Sequence, residues 1–224
     1  MAATEEEAAR QAIIGACLSM NYNGINQGTA GNISVRWENG LLITPSGLPY
    51  DEMKIDDIVF MNMDGSYEHR LAASSEWRFH RDILQERVDV NAVVHAHPVH
   101  ATAFAICGME VPAVHYMIAA AGGPSIRCAP YAPYGTEELS RAVLKALSGR
   151  ACALLANHGM VATGHDLRAA MWLAVEVETL CKQYAVALQI GTPRALANDE
   201  IERTIEKFKE YGLRPVKSHG TEGH

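Results

Sequence analysis

No stretch of this chain is rich in lysine and arginine, and that lack removes a first class of function. A nucleic-acid partner needs a basic stripe to replace phosphate counterions, whereas the formal net charge here is −7. Apolar runs long enough to span a bilayer are missing too. The amino end, MAATEEEAARQ, is acidic where a secretion signal would be basic and then apolar, so the expected location is the cytosol, with no membrane partner. Paired cysteines are absent: Cys17, Cys107, Cys128, Cys152 and Cys181 are odd in number, far apart and free of any CxxC. This speaks against a disulfide framework or a thiolate zinc site, and leaves them as small buried hydrophobes. No strand runs into GxGxxG, so a doubly wound dinucleotide fold fits poorly. Linkers, repeats and low-complexity tracts are also lacking, which leaves one domain over residues 1–213 and a loose tail over 214–224.

The elements that are present alternate between the two secondary-structure periods. EEEAARQAIIGACLSMNYNG predicts an amphipathic helix with Ala8, Ala12, Cys17 and Met20 among its apolar positions. A glycine-rich turn follows, then the strand Ile33 to Trp37, the hairpin signal Glu38-Asn39-Gly40, and further strands in LLIT and DDIVFMNM. SSEWRFHRDILQER predicts a helix from Ser74, AVVHAH an apolar strand, and Pro98 the opening of another helix. AVHYMIAAAGG and IRCAPYAPYG read as irregular. TEELSRAVLKALSG is a capped helix, ACALLANHG a strand and turn, and two further helices, HDLRAAMWLAVEVETLCKQYAVALQI and DEIERTIEKFKEYG, close the domain. Hairpin-linked strands interleaved with helices predict an α/β chain whose central sheet is mixed, largely antiparallel and covered by helices on both faces.

Chemistry enters at VVHAH. Side chains two apart on a strand point the same way, so His95 and His97 project together while Val94 and Ala96 face the other layer. Two imidazoles at that spacing can share one ion, and an open catalytic site then needs a third ligand from elsewhere. His158, where the strand CALLA breaks into Asn-His-Gly, is the preferred third donor; His100 competes through HxxH, although Pro98 turns it away. Ser74-Ser75-Glu76 at a helix start offers free N–H groups to a phosphate, and equally reads as an ordinary cap with an acidic first turn. Gly28, Gly31, Ser46 and Gly47, with Asn32 among them, allow the close backbone approach of a phosphate cradle or are simply turns.

Taken together, NQGTAGNISVR, LLITPSGLPY, SSEWRFH, AVVHAHPVH, HYMIAAAGG, CAPYAPYGT, NHG and EKFKEYGL resemble the class II aldolase family, with its fuculose-phosphate aldolases nearest in pattern. The resemblance implies a three-layer α/β/α subunit and a homotetramer with its active sites at subunit interfaces. It also implies one Zn2+ per subunit, with Mn2+ or Co2+ as possible substitutes. Under it His95, His97 and His158 are metal ligands, and Glu76 is both the catalytic acid/base and a ligand of the resting ion. Asn32, Ser46, Gly47, Ser74 and Ser75 match phosphate-binding positions. Tyr116 matches a tyrosine lent by a neighbouring subunit, and Tyr211 one from the carboxyl end. Two departures stand out: TPSG replaces TPTG, which keeps the hydroxyl, and Tyr134 replaces a Phe at the aldehyde end of the pocket.

The implied reaction is reversible cleavage of a ketose 1-phosphate, such as L-fuculose 1-phosphate, to dihydroxyacetone phosphate and a small aldehyde. Without a Schiff-base lysine motif, a metal must supply the electron sink. Within the family the alternatives are cleavage of 5-deoxyribulose or 5-methylthioribulose 1-phosphate, a 4-epimerase, which has Asp where Glu76 stands, a dehydratase, or a non-catalytic adducin-like domain.

Overall fold

The computed structural model describes residues 4–209. Helix α1, Glu5–Tyr22, opens on a capping box in which the Glu7 N–H donates to Thr4 Oγ1 and the Thr4 N–H donates to the Glu7 carboxylate. Its buried face is Ile13, Ile14, Cys17 and Met20, whereas Ala8 and Ala12, expected among the apolar positions, are exposed. Larger side chains bury more apolar area per position, and they set the rotation of the helix.

Strands β1 (Asn32–Trp37), β2 (Gly40–Ile43) and β3 (Val59–Asn62) form an antiparallel meander, and β4 (Ala92–Ala96) pairs with the other side of β1. Helix α2, Trp77–Glu86, precedes β4, and α3, Val99–Ile106, follows it behind Pro98. Next come the short β5 (Val111–Pro112), a 3-10 turn over Tyr116–Ala121, β6 (Ser125–Ala129) and α4 (Glu137–Ala146). The hairpin β7 (Cys152–Leu155) and β8 (Gly159–Gly164) leads into the long α5 (Leu167–Ile190) and α6 (Asn198–Lys209). The eight strands run in the order β3-β2-β1-β4-β8-β7-β6-β5, antiparallel throughout except for the β6–β7 pair. The sheet is therefore mixed and largely antiparallel, as expected.

Strand alternation divides the interior into two cores. Val94, Ala96, Leu154, Met160 and Ala162 pack toward α1, α3 and α5, while Val93, Leu155 and Val161 pack toward α2 and α4 with Phe79, Ile83, Leu139 and Val143. Three strands were not legible, the first of them the two-residue β5. The segment around β6 reads as irregular, and β8, GMVATG, shows no polar alternation because both its faces are covered. Being central, β8 also carries a glycine that sequence reasoning takes for a loop. A Cβ on Gly159 would lie 2.5 Å from the Ala96 carbonyl and 2.6 Å from the His97 ring, so only glycine lets β8 lie against the end of β4. Cysteine packing also differs in part from expectation, since Cys107 is exposed and Cys128 only half-buried. The tail over 214–224 and Tyr211 lie outside the described residues.

Candidate metal centre

Four side chains from three places in the sequence meet at one end of the central strands. β4 supplies His95 and the residue just beyond its end supplies His97. The β7–β8 turn supplies His158, preceded by Asn157 at φ 55, a left-handed conformation that asparagine adopts more readily than bulkier residues. The Asn157 N–H donates to the Ala105 carbonyl on α3 and fixes the turn. Glu76 sits at the cap position of α2, so the helix starts three residues later than Ser74, and the Glu76 N–H is satisfied by Ser74 Oγ. One potential donor atom from each of Glu76, His95, His97 and His158 lies within 4.8 Å of all the others.

The three imidazoles form a near-equilateral set, with ring centroids 4.8, 4.8 and 4.9 Å apart and planes crossing at 69 to 78°. His95 is fully buried, and its Nδ1 lies 2.9 Å from the Met160 carbonyl of β8. Donation of that N–H leaves the Nε2 lone pair facing the centre, the arrangement in which a histidine ligates a metal. Nε2 of His95 is 2.9 Å from Nε2 of His97 and 3.0 Å from Glu76 Oε2. Burial pushes the His97 imidazolium down to about 3, so the ring is neutral at physiological pH. Burial would raise the Glu76 carboxyl, but the imidazoles of His95 and His158 close beside it outweigh burial and hold the group well below the usual carboxylate range.

The donor set fits a divalent cation. His158 Nε2 comes to 3.1 Å of Glu76 Oε1, yet off the hydrogen-bonding direction, and Oε1 is left buried without a hydrogen-bond partner. A buried carboxylate oxygen without a partner costs free energy that a cation would recover. His100 is elsewhere, its Nδ1 2.7 Å from Glu178 Oε1 on α5.

The other candidate residues divide between this site and the remainder of the surface. The bridge between Pro45 and Ala73, with the Ser46 N–H donating to the Ala72 carbonyl and the Ser74 N–H to the Thr44 carbonyl, holds TPSG beside Ser74-Ser75. Gly47 has φ 71, which glycine adopts without strain. Gly31 packs so tightly that a Cβ would lie 2.6 Å from the His95 carbonyl. A cleft of about 350 Å³ opens over Glu76, His97 and His158, walled by Ala30, Ser75, Tyr131, Tyr134 and Asn157. Arg78 Nε donates to the Gly135 carbonyl at 3.2 Å and ties the tyrosine-bearing loop to α2. Tyr131 was not singled out from sequence; its signal was an aromatic in an irregular loop beside the expected pocket residue. Tyr116 does not line this cleft. It is 51% exposed and borders a different cavity, with Met117 and Trp172.

Asn32, expected at the phosphate, is 5% exposed and donates from Nδ2 to Glu76 Oε2 at 3.0 Å. Its Oδ1 faces His80, a residue with no spacing signal of its own.

Comparison with known families is decisive. Residues 11–185 match the model described as Class II Aldolase and Adducin N-terminal domain. The chain belongs to that family. It is 53% identical over 207 residues to the L-fuculose phosphate aldolase of Escherichia coli (strain K12), covering 92% of this chain and 96% of that protein. The 5-methylthioribulose-1-phosphate/5-deoxyribulose-1-phosphate aldolase of Rhodospirillum rubrum is likewise 53% identical, over 205 residues, 92% of this chain and 93% of its own length. A solved structure of an L-fuculose 1-phosphate aldolase superposes with a TM-score of 0.88 at 40% identity, covering 93% of this chain and 98% of that one. The chain is thus a class II aldolase that carries a cluster of three histidines and one carboxylate able to hold a metal ion, and the described residues include no helix long and apolar enough to cross a membrane.

Proposed function

We propose that this chain is a metal-dependent aldolase that reversibly cleaves a ketose 1-phosphate, such as L-fuculose 1-phosphate, to dihydroxyacetone phosphate and a small aldehyde. The observation that carries this reading is the convergence of His95, His97, His158 and Glu76 in a chain 53% identical to a named L-fuculose phosphate aldolase. Three imidazoles and one carboxylate suit Zn2+, one per subunit, with Mn2+ or Co2+ able to replace it. When bound, the ion supplies Lewis-acid polarisation of the substrate's oxygen atoms.

The protein's own residues do the rest. Asn32, Ser46, Gly47, Ser74 and Ser75 receive the phosphate and fix the non-reacting end of the substrate, which converts binding into orientation. Glu76 delivers a proton to the carbon that the aldehyde leaves, and Tyr116 or a water handles the proton on the aldehyde's oxygen. Tyr131 and Tyr134 wall the cleft on the side where the aldehyde would sit. The equal identity to the R. rubrum enzyme favours a second reading, in which 5-methylthioribulose or 5-deoxyribulose 1-phosphate is the substrate and Tyr134 makes the choice.

A panel of these ketose 1-phosphates, scored for dihydroxyacetone phosphate release with and without a chelator, tests both readings. One member should be cleaved well and the chelated enzyme should be silent. Cleavage of none would overturn the aldolase reading, and cleavage that survives complete metal removal would overturn the metal's role.

We further propose a cytoplasmic homotetramer with shared active sites, to which Tyr116 comes from a neighbouring subunit and Tyr211 from the carboxyl end. The half-exposed position of Tyr116, away from its own chain's cleft, supports donation across an interface. Inactive Tyr116→Phe and inactive Glu76→Gln chains, refolded together, should regain activity because some sites then receive both intact groups. Mixtures as inactive as their parents would place the tyrosine and the glutamate in the same subunit's site.

A further inference from the structure

Behind Glu76 lies a line of buried polar groups of which the proposed chemistry uses Asn32 alone, and that only for the phosphate. Asn32 and Ser34 stand two apart on β1 and so share a face, and Glu76 and His80 stand four apart at the start of α2 and share a face of the helix. Four helical residues rise about 6 Å and two strand residues about 6.6 Å, so the two pairs come into step. Ser34 Oγ lies 2.8 Å from His80 Nδ1, His80 Nε2 lies 2.5 Å from Asn32 Oδ1, and Asn32 Nδ2 lies 3.0 Å from Glu76 Oε2. Ser34 and His80 are fully buried and Asn32 and Glu76 are 5% exposed.

The direction of every hydrogen bond follows from the carboxylate. An ionised Glu76 only accepts, so Asn32 must turn its amide N–H toward it and its carbonyl toward His80. That carbonyl also only accepts, so His80 must carry its proton on Nε2. Burial holds this ring neutral, with its pKa pushed down to about 3, so Nδ1 is left as an acceptor and Ser34 must donate to it. Each hydrogen bond of the line has one direction, and the order Ser34 to His80 to Asn32 to Glu76 has no alternative polarity; the second Nδ2 N–H of Asn32 remains for the phosphate. Apolar side chains of similar size would fill the space between β1 and α2 without desolvating four polar groups.

We propose that Ser34, His80 and Asn32 form a positioning relay that fixes the orientation of the Glu76 carboxylate in the active site. This inference rests on the reading of Glu76 as the group that moves protons. His80 touches no reacting atom and acts only through Asn32. A partner of this kind, which orients the working group without touching the substrate, is typically worth about 10- to 100-fold in activity.

The test uses the metal-loaded full chain, a cleaved ketose 1-phosphate from the panel, and dihydroxyacetone phosphate in heavy water. His80→Phe should lower kcat about 10- to 100-fold, with full metal content and KM within about twofold. His80→Gln, whose side-chain amide can still donate to Asn32, should recover most of the loss. On a Glu76→Gln background, His80→Phe should cost nothing more, because the relay has no carboxylate left to orient. In the metal-free protein, nitrogen NMR should find the His80 proton on Nε2. Should His80→Phe fold poorly, Ser34→Ala, which removes only a hydroxyl, should show the same pattern at smaller size. A His80→Phe enzyme as fast as wild type, a loss that multiplies on the Glu76→Gln background, or a proton found on Nδ1 would each overturn the relay. If Glu76→Gln itself turns over normally, the proton-transfer reading falls instead, and the NMR result alone then decides for or against the ordered hydrogen bonds.

Discussion

Glu76→Gln should bind metal and a phosphorylated substrate mimic like the wild type while its turnover falls by the roughly 10²- to 10⁴-fold typical of a lost general acid/base. The shape of the site survives the change, because a glutamine carbonyl can still accept from Asn32 Nδ2, which now donates to Glu76 Oε2 at 3.0 Å. What disappears is an oxygen able to carry a proton. Three imidazoles remain to hold the ion, so the loss should appear in kcat rather than in metal content. Hydrogen exchange separates proton transfer from bond cleavage. Wild-type enzyme given dihydroxyacetone phosphate in heavy water, with no aldehyde, should wash out one hydrogen of the hydroxymethyl carbon stereospecifically, and the variant should not. Exchange at the wild-type rate would assign the proton to another group and leave Glu76 as a metal-binding carboxylate.

His95→Ala should empty the metal site and abolish activity. His95 is fully buried, its Nδ1 is held by the Met160 carbonyl, and its Nε2 stands within 3.0 Å of both His97 and Glu76. No other side chain can take its place without moving β4. Metal analysis should fall from about one divalent ion per chain to a trace. The metal-free variant should also lose stability, by roughly the 2–5 kcal/mol typical of truncating a large buried side chain, since the His95 ring is fully buried and its Nδ1 contact with the Met160 carbonyl goes with it. Thermal unfolding measured beside metal content separates the two effects. His100→Ala is the control and should keep its ion, because His100 pairs with Glu178 outside the cluster. A full complement of metal in His95→Ala would remove His95 from the ligand set.

Much of the site was legible because its signals are local. The two-residue period of a strand put His95 and His97 on one face before any fold was known, and Val93 and Val94 indeed go to opposite cores. Asn-His-Gly at the end of an apolar strand marked His158. The helix around Trp77, the β1–β2 hairpin and the capped α4 were likewise written in caps, turns and periods. Less legible was anything whose partner is distant in sequence. The rotation of α1 depended on what it packs against, so Ala8 and Ala12 face outward. His80 carried no motif because its meaning lies in Asn32 and Ser34, more than forty residues away.

The sequence by itself determined which residues could donate to a metal, which elements carry them and, through its motifs, the family to which the chain belongs. Only the tertiary structure decided that β8 slides between β4 and β7, which carries His158 to the histidine pair and places the Met160 carbonyl where it orients His95. It alone turned Asn32 toward Glu76 and left Tyr116 outside its own chain's cleft. The physical reason is one of range. Backbone period, capping and turn chemistry act over a few neighbouring residues, whereas strand order and side-chain polarity are settled by burial and hydrogen-bond satisfaction across the whole domain.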